Sequence, residues 1–326
     1  MAHAASQPAD STQQTRSAWI MLLALTTAFS LSQAYRTVPA MMATQLQSDF
    51  ALSPQQLGIF AGVFHFSFGA LQLLMGIGID FHGVRRTVLV AFPLTLAGAL
   101  LSGLAPSYWQ VVLGQALIGI GCAPAFLVCT VFIARHFPAS QFASVSGLVL
   151  GIGGLGMLAT GTPLAWLVDV SSWRTGFLVL AAGSAVAWLV IFVFVREAQP
   201  GGPHRGSSIA TALRESAALL AMPHTLGIVA LAAVTYASFI TLRGLWLGPL
   251  LIERYGFSLV QSGNVALAVS VASLFGPPLF GHLDPGIGLR RRRIAMFSLL
   301  MAALFAVLAV VRDPIAGVAA TLAIGF

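Results

Sequence analysis

The chain has 326 residues, of which 58% are apolar and only 8% are Asp, Glu, Lys or Arg. Soluble domains carry roughly 25% charged residues, so this composition excludes a water-soluble globular enzyme and predicts an all-α polytopic membrane protein. The formal net charge is +7, but all 16 basic residues are arginines, and most of them lie in the segments between apolar stretches. That distribution is typical of membrane topology and excludes a nucleic-acid partner.

Stretches of about 20 apolar residues bounded by charges or Pro/Gly clusters predict helices that cross the bilayer. After a polar N-terminal tail, residues 1 to 17, nine such spans follow, and a tenth begins near Ile315. The nine are residues 18 to 43, 54 to 79, 87 to 105, 108 to 134, 144 to 168, 174 to 195, 225 to 251, 260 to 281 and 294 to 311.

Residues 196 to 224 are predicted to form a cytoplasmic linker between two groups of spans. Apolar residues recur there at helical spacing, which predicts an amphipathic helix on the membrane surface. They are Ile209, Ala212, Leu213, Ala217 and Leu220.

The arginines predict the topology, because cytoplasmic loops carry the excess of basic residues. With the N-terminus in the cytoplasm, eleven of the 16 arginines lie in cytoplasmic segments, and only Arg174, Arg254 and Arg312 lie in outer loops. The chain is therefore predicted to be a multi-pass protein of the cell inner membrane. Arg36 and Arg243 remain, within spans 1 and 7.

An internal repeat with an offset of 205 residues relates the two groups of spans. Ser53, Gln56 and Gly58 after span 1 match Ser258, Gln261 and Gly263 after span 7. Further on, Gly76 matches Gly281, Asp80 falls one residue from Asp284, and Arg85-Arg86 matches the run 290 to 293. A six-helix bundle at 18 to 195, the linker, and a second bundle begun in the same orientation at 225 to 326 form a parallel repeat.

The segment between spans 2 and 3 carries Gly76, Asp80, Gly83, Arg85 and Arg86 in the pattern Gly-x-x-x-Asp-x-x-Gly-x-Arg-Arg. Here glycines allow close helix approach and a tight turn, and arginines anchor a helix end at the inner surface. The pattern closely resembles the signature of the major facilitator superfamily. The resemblance implies that Asp80 docks against the start of helix 11 and holds an outward-open state, with Asp284 as its repeat counterpart.

That resemblance implies a fold of two six-helix bundles, of which the second is here incomplete, and a secondary transporter that works by alternating access. A complete chain is expected to have roughly 400 residues, because Phe326 corresponds to the middle of helix 4 in the first repeat. We expect the 326-residue chain to be unstable or inactive as written. Nothing in it resembles a metal cluster or a nucleophile with its base, so neither an enzyme nor a cofactor is predicted.

Arg36 and Arg243 are predicted to form a two-armed clamp for an anion, since both lie within spans at nearly the same depth. Alternatively, each arginine extends its charge to the outer headgroups. The arrangement resembles that of organophosphate antiporters of the superfamily. It departs from them at Gln72, where those proteins carry a lysine, so a broader organic anion is predicted. Gln115 stands where the family's second motif carries an arginine, so the proton-coupling role of that arginine is not carried over to this chain.

No carboxylate lies deep in a predicted span, which argues against a cationic substrate and a carboxylate proton relay. His65 is either a packed or cavity-lining neutral side chain or a proton or substrate relay. Together with Arg36 and Arg243, the residues predicted to bind the substrate are Tyr35, His65, Gln72, Gln115 and Trp246. The preferred hypothesis is a transporter of a small organic anion that acts as a monomer in the bilayer. A drug or amphiphile exporter and a transporter-like membrane sensor are the alternatives.

Overall fold

A computed structural model describes residues 8–196, 214, 218, 221–282 and 287–326, except the side chains of residues 8–14, Ala143, 276–282 and 287–291. Most of the predicted amphipathic helix at 209 to 220 lies outside the described residues, and Asp284 lies outside them as well. Within them the chain forms helices and no strand.

The helices follow the predicted spans closely. They are α1 Pro8–Tyr35, α2 Val38–Phe50, α3 Pro54–Ala91, α4 Pro93–Gly103, α5 Tyr108–Cys122, α6 Ala125–His136, α7 Phe142–Ala159, α8 Thr162–Val170, α9 Trp173–Phe194, α10 Pro223–Thr241, α11 Leu259–His282, α12 Ile287–Val310 and α13 Pro314–Gly325. After α10 the chain continues through two π-helical segments, Leu242–Trp246 and Leu250–Arg254, around a single α-helical turn.

Seven described stretches are long and apolar enough to cross a membrane. They are Thr15–Tyr35, Pro54–Gly103, Tyr108–His136, Ser144–Val170, Trp173–Phe194, Pro223–Arg254 and Arg292–Val310, with Leu259–Phe275 and Pro314–Gly325 as shorter apolar helices. The stretch Pro54–Gly103 contains predicted spans 2 and 3, which the structure separates at Gly83, with φ 81° and ψ 168°. The all-helical prediction is thereby confirmed.

The internal repeat has a structural counterpart at the starts of α3 and α11. The main-chain N–H of Ser53 donates to Gln56 Oε1 at 2.8 Å, and the N–H of Gln56 donates to Ser53 Oγ at 3.3 Å. Ser258 and Gln261 make the same two bonds at 2.8 and 3.1 Å. Each Ser-x-x-Gln segment is therefore a capping box, in which two side chains satisfy main-chain donors at a helix start.

The chain divides into two compact units. The first comprises Met1–Ser32, Val63–Gly153 and Phe177–Ile209, and the second comprises Gln33–Gly62, Gly154–Gly176 and Ala210–Phe326. This division does not follow the boundaries 18 to 195 and 225 to 326 of the predicted bundles, because α1, α3, α7 and α9 each contribute to both units. The bundle boundaries stay a prediction.

In the first unit α4 packs along α5, and Phe64, Phe92, Phe132 and Phe177 are buried. The indole of Trp188 on α9 donates to the Leu89 oxygen of α3 at 3.0 Å. In the second unit α8 packs on α11, and α2 packs on the π-helical segment Leu242–Trp246. A smaller apolar cluster joins that segment to α12 and α13 through Leu242, Leu308, Ala320 and Ile324.

Candidate functional site

Three interruptions of regular α-helix occur in the second unit. The first separates α1 from α2 between Tyr35 and Val38, and the second separates α7 from α8 between Ala159 and Thr162. Pro39 and Pro163 stand in the first turns of α2 and α8, where a residue without an N–H is tolerated. The third interruption is the π-helical segment Leu242–Trp246. Irregular backbone at membrane depth is tolerated where it is buried in protein or lines a cavity.

Arg243 lies in that π-helical segment and is only 1% exposed. Its Nε donates to Ser270 Oγ on α11 at 3.1 Å, and its Nη2 donates to the Met157 oxygen on α7 at 3.1 Å. Ser270 Oγ in turn donates to the Ala266 oxygen at 2.8 Å, so it can only accept from Arg243. The buried Nη1 has no hydrogen-bond partner among the described residues.

The Met157 oxygen also accepts from Thr160 Oγ1, 3.0 Å away. Thr160 Oγ1 lies 2.5 Å from Thr37 Oγ1, and Thr37 Oγ1 lies 3.1 Å from the Ala34 oxygen. Since each hydroxyl has one hydrogen, the two threonines can donate to only two of these three acceptors at a time. This buried network joins all three helix interruptions.

Arg36 follows the end of α1, and its Nη1 donates to Tyr236 Oη on α10 at 2.6 Å. The two predicted clamp arginines thus lie in one unit, but their guanidinium groups have different partners. Their main chains meet closely: a Cβ at Gly244 would lie 2.7 Å from the Arg36 oxygen, and one at Gly248 would overlap the Ala40 oxygen. Glycines four residues apart are the arrangement that lets two membrane helices approach this closely.

The remaining predicted lining residues divide between the two units. Tyr35 is fully buried in the second unit, beside Arg36 in sequence. Trp246 is 37% exposed and lines a cavity of about 720 Å³ with Phe305, Leu308 and other residues of the second unit. That cavity lies on a different face of the π-helical segment from the Arg243 contacts, since its lining contains neither Met157 nor Ser270.

In the first unit, Gln72 Nε2 donates to the Ala123 oxygen at 3.1 Å, and the His65 ring stands edge-on to Phe64 with 5.1 Å between ring centroids. Gln115 is fully buried on α5, and neither its Oε1 nor its Nε2 has a partner among the described residues. A buried amide without hydrogen bonds is costly.

The signature segment also lies in the first unit. Gly83 has the positive φ that its predicted turn requires. The Asp80 carboxylate lies 3.8 Å from Arg135 Nη2 at the end of α6. Arg85 donates to the oxygens of Val195 and Phe192 at 2.5 and 3.1 Å, which caps the C-terminal end of α9.

Arg86 is exposed. The surroundings of Gly76 differ from expectation: no described atom lies within 4 Å of a Cβ built there, so the close helix approach predicted at Gly76 is not found in the described part of the chain. The predicted docking of Asp80 against the eleventh transmembrane helix of the family stays a prediction; among the described residues, the Asp80 carboxylate lies near Arg135.

A cluster around Asp49 was missed by sequence reasoning. Asp49 Oδ2 accepts from the Trp173 indole at 2.8 Å and from Arg174 Nη1 at 3.0 Å. Gln45, one turn earlier on α2, accepts from the Trp173 N–H at 3.0 Å and donates to the Val168 oxygen at 3.1 Å. The two hydrogen bonds to Asp49, first that from Trp173 and then that from Arg174, lower the pKa of Asp49 below its ordinary value.

Comparison with known proteins places this geometry in context. The chain matches the family model of the Major Facilitator Superfamily over residues 21–326. A probable sulfoacetate transporter of Cupriavidus necator is 25% identical over 260 residues, 74% of this chain and 59% of that protein. A hexuronate transporter of Bacillus subtilis is 26% identical over 165 residues, 50% of this chain and 38% of that protein.

An MFS-type efflux pump of Mycolicibacterium smegmatis is 28% identical over 269 residues, 78% of this chain and 62% of the pump. The chain thus spans less than two thirds of the length of these three relatives. Among solved structures, a bacterial homologue of the human lysosomal transporter Spinster, inward-facing and unoccupied, superimposes with a TM-score of 0.69 at 17% identity. That match covers 98% of this chain and 73% of the other.

Proposed function

The chain belongs to the major facilitator superfamily, and from this premise we propose that it serves secondary transport of a small organic anion across the membrane by alternating access. Two relatives support the substrate class, since their names specify sulfoacetate and hexuronate, which are both organic anions. The sequence departs from organophosphate antiporters at Gln72, which favours a carboxylate or sulfonate over a sugar phosphate.

The observation that carries the proposal is the buried Nη1 of Arg243, which has no acceptor among the described residues. Arg243 is 1% exposed, and its two described partners, Ser270 Oγ and the Met157 oxygen, are neutral. A buried cation without a counter-charge is strongly unfavourable, and an anion that accepts from Nη1 relieves that cost. The main-chain oxygen of Arg36 lies close to Gly244, and the Arg36 guanidinium group, bonded to Tyr236, carries a second positive charge in the same unit.

The charge distribution favours anions over cations. Among the residues whose side chains are described, the carboxylates lie at or beyond helix ends, as Asp49, Asp80, Asp169, Glu253 and Asp313 do. A lipophilic cation would find no deep counter-charge there. The arginine distribution further supports an inner-membrane protein with a cytoplasmic N-terminus. The proposal also includes a monomer, with bundles at 18 to 195 and 225 to 326 joined by the linker 196 to 224.

The test is ligand binding rather than transport, because the 326-residue chain is expected to be unstable or inactive as written. Binding to this chain in lipid nanodiscs is measured by calorimetry and by thermal shift. Sulfoacetate and D-glucuronate are expected to bind wild type, and Arg243→Met is expected to lose at least tenfold in affinity, the effect of one charge-assisted hydrogen bond. The matched control is Arg312→Met, which removes the same charge from an exposed loop position. Equal affinities for wild type and Arg243→Met would overturn the proposal.

A second candidate function, export of a drug or amphiphile, is favoured by the match to the M. smegmatis efflux pump. The apolar cavity of about 720 Å³ beside Trp246 and Phe305, with Glu253 among its lining residues, suits an amphiphilic cation. Ethidium in the same nanodisc assay separates the two functions. Ethidium binding that survives Arg243→Met but is lost in Trp246→Ala would favour the exporter.

A further inference from the structure

Tyr236 occupies a position on α10 that sequence reasoning did not single out. Its ring is 48% exposed, and its hydroxyl oxygen accepts from Arg36 Nη1 at 2.6 Å. A phenol can accept one hydrogen bond and donate another at the same time. The Tyr236 hydroxyl hydrogen has no acceptor among the described residues, so this donor remains available beside a guanidinium group.

The spacing along the helix relates Tyr236 to Arg243. Seven residues separate them, which corresponds to about 10 Å along the axis at 1.5 Å per residue. The steps up to Thr241 lie in α10 and the last two lie in the π-helical segment Leu242–Trp246, so α-helical spacing does not by itself place both side chains on one face. Tyr236 is half exposed and Arg243 is fully buried. Hydrogen-bond donors therefore stand at an exposed position and at a buried position of the same continuous helical stretch.

Arg36 makes Tyr236 a better donor. A hydroxyl that accepts a bond from a cation is polarised, and its own hydrogen is then donated more strongly. An oxyanion attracted by the arginines would meet this hydrogen together with positive charge. A halide would gain less binding free energy because it has no acceptor oxygen, and a neutral solute would gain less because its acceptor oxygens carry no charge.

We propose that Tyr236 is a specificity-determining residue, which donates its hydroxyl hydrogen to a carboxylate or sulfonate oxygen of the ligand while Arg36 positions the phenol. This inference rests on the proposed function, because it concerns the same anion. The two residues have different roles toward that anion: Arg243 supplies positive charge, and Tyr236 selects for an oxygen acceptor.

The test is Tyr236→Phe in nanodiscs, which removes one oxygen atom and keeps the ring. Affinity for sulfoacetate is expected to fall about tenfold, the effect of one hydrogen bond to a charged group, while the ligand-free Tm stays within about a degree. Tyr236→Gln, which keeps a donor and an acceptor, is expected to retain more affinity than Tyr236→Phe. The double variant with Arg36→Gln should lose less than the sum of the two single losses.

The matched control is Tyr255→Phe. Tyr255 Oη donates to the Val311 oxygen at 3.1 Å, so this change should lower the Tm and leave sulfoacetate affinity unchanged. Failure of the two proposals can be told apart. If wild type binds no anion, the proposed function fails; if wild type binds and Arg243→Met does not, but Tyr236→Phe matches wild type, the role of Tyr236 alone is overturned.

Discussion

The hydroxyl oxygens of Thr37 and Thr160 lie 2.5 Å apart, each at an interruption between two helices. We predict that Thr37→Val and Thr160→Val are destabilising to a similar extent, because each hydroxyl also contacts one main-chain oxygen, that of Ala34 or of Met157. Each change is expected to cost about 1 kcal/mol, the typical net contribution of one hydrogen bond, and the pair should be coupled in a double-mutant cycle. Thermal melting in detergent measures this.

The control for this pair is Thr235→Val, whose hydroxyl contacts only the Leu231 oxygen of its own helix. Thr235→Val should melt within about a degree of wild type. Additive effects of the Thr37 and Thr160 substitutions would contradict a shared network.

Gly248 is expected to be intolerant of side chains. A Cβ there would overlap the Ala40 oxygen, and main chain cannot move aside as a flexible side chain can. We expect Gly248→Leu to destabilise the chain by about 3 kcal/mol or more, as overpacking of a tight contact does. Gly227→Leu on α10, where nothing lies within 4 Å, is the matched control. Similar melting of the two variants would refute the close approach.

Ser270→Ala should loosen Arg243. The substitution removes the acceptor of Nε at 3.1 Å and leaves a buried charged donor unsatisfied, at a cost of about 1–3 kcal/mol. Both the Tm and sulfoacetate affinity should fall, because the guanidinium is no longer held in one orientation. Ser273→Ala, which removes a hydroxyl bonded only to the Ser270 oxygen, should leave affinity unchanged. If Ser270→Ala and Ser273→Ala both lost affinity, the cause would be a disturbance of α11 rather than the lost contact between Ser270 and Arg243.

Gly83→Ala should destabilise the turn between the two halves of α3. The backbone there has φ 81° and ψ 168°, a conformation that is essentially confined to glycine, and forcing another residue into it costs about 1–3 kcal/mol. Gly76→Ala should be neutral or slightly stabilising, since Gly76 is helical with open space at its Cβ position. Melting curves of the two variants decide the matter, and a reversed order would be inconsistent with the positive φ.

Stability is expected to fall in acid through Asp49. Because its folded-state pKa lies below the ordinary value of 3.8, its contribution is present above about that pH and is lost as the pH falls through the folded-state pKa. Asp49→Asn should flatten the decline of Tm between about pH 5 and pH 3. Asp169→Asn, at an exposed carboxyl without a described hydrogen bond, is the control. If the Tm of Asp49→Asn declined with falling pH as steeply as that of wild type, the cluster around Asp49 would not be the cause of the loss of stability in acid.

Hydropathy and local motifs predicted much of the fold. The predicted spans are helical because a bilayer requires a minimum apolar length, although spans 1, 3, 4, 5 and 7 are each divided between successive helical segments. The Ser-x-x-Gln repeats form capping boxes because that motif is satisfied locally. Gly83 likewise adopted the turn that its sequence context indicated.

Contacts between distant residues could not be predicted in this way. Asp49 and Trp173 are 124 residues apart, and no periodicity indicates that an end-of-span carboxylate accepts from that indole. The two arginines of the predicted clamp were singled out from the sequence. Which groups they contact, namely Tyr236, Ser270 and Met157, depends on how the helices face one another. The π-helical segment around Arg243 has no local sequence signal of its own.

The shared acceptor at Met157 has a mechanical consequence. Because Thr160 already donates to that oxygen, Arg243 can swing its Nη2 away without leaving a carbonyl stranded in the protein interior. Reorientation then sacrifices one neutral-acceptor bond, about 1–2 kcal/mol, which a charge-assisted bond to an arriving anion more than replaces. Thr160 thus continues to donate to the Met157 oxygen when Arg243 moves. The Arg243 guanidinium can then exchange a hydrogen bond to the protein for one to the transported anion.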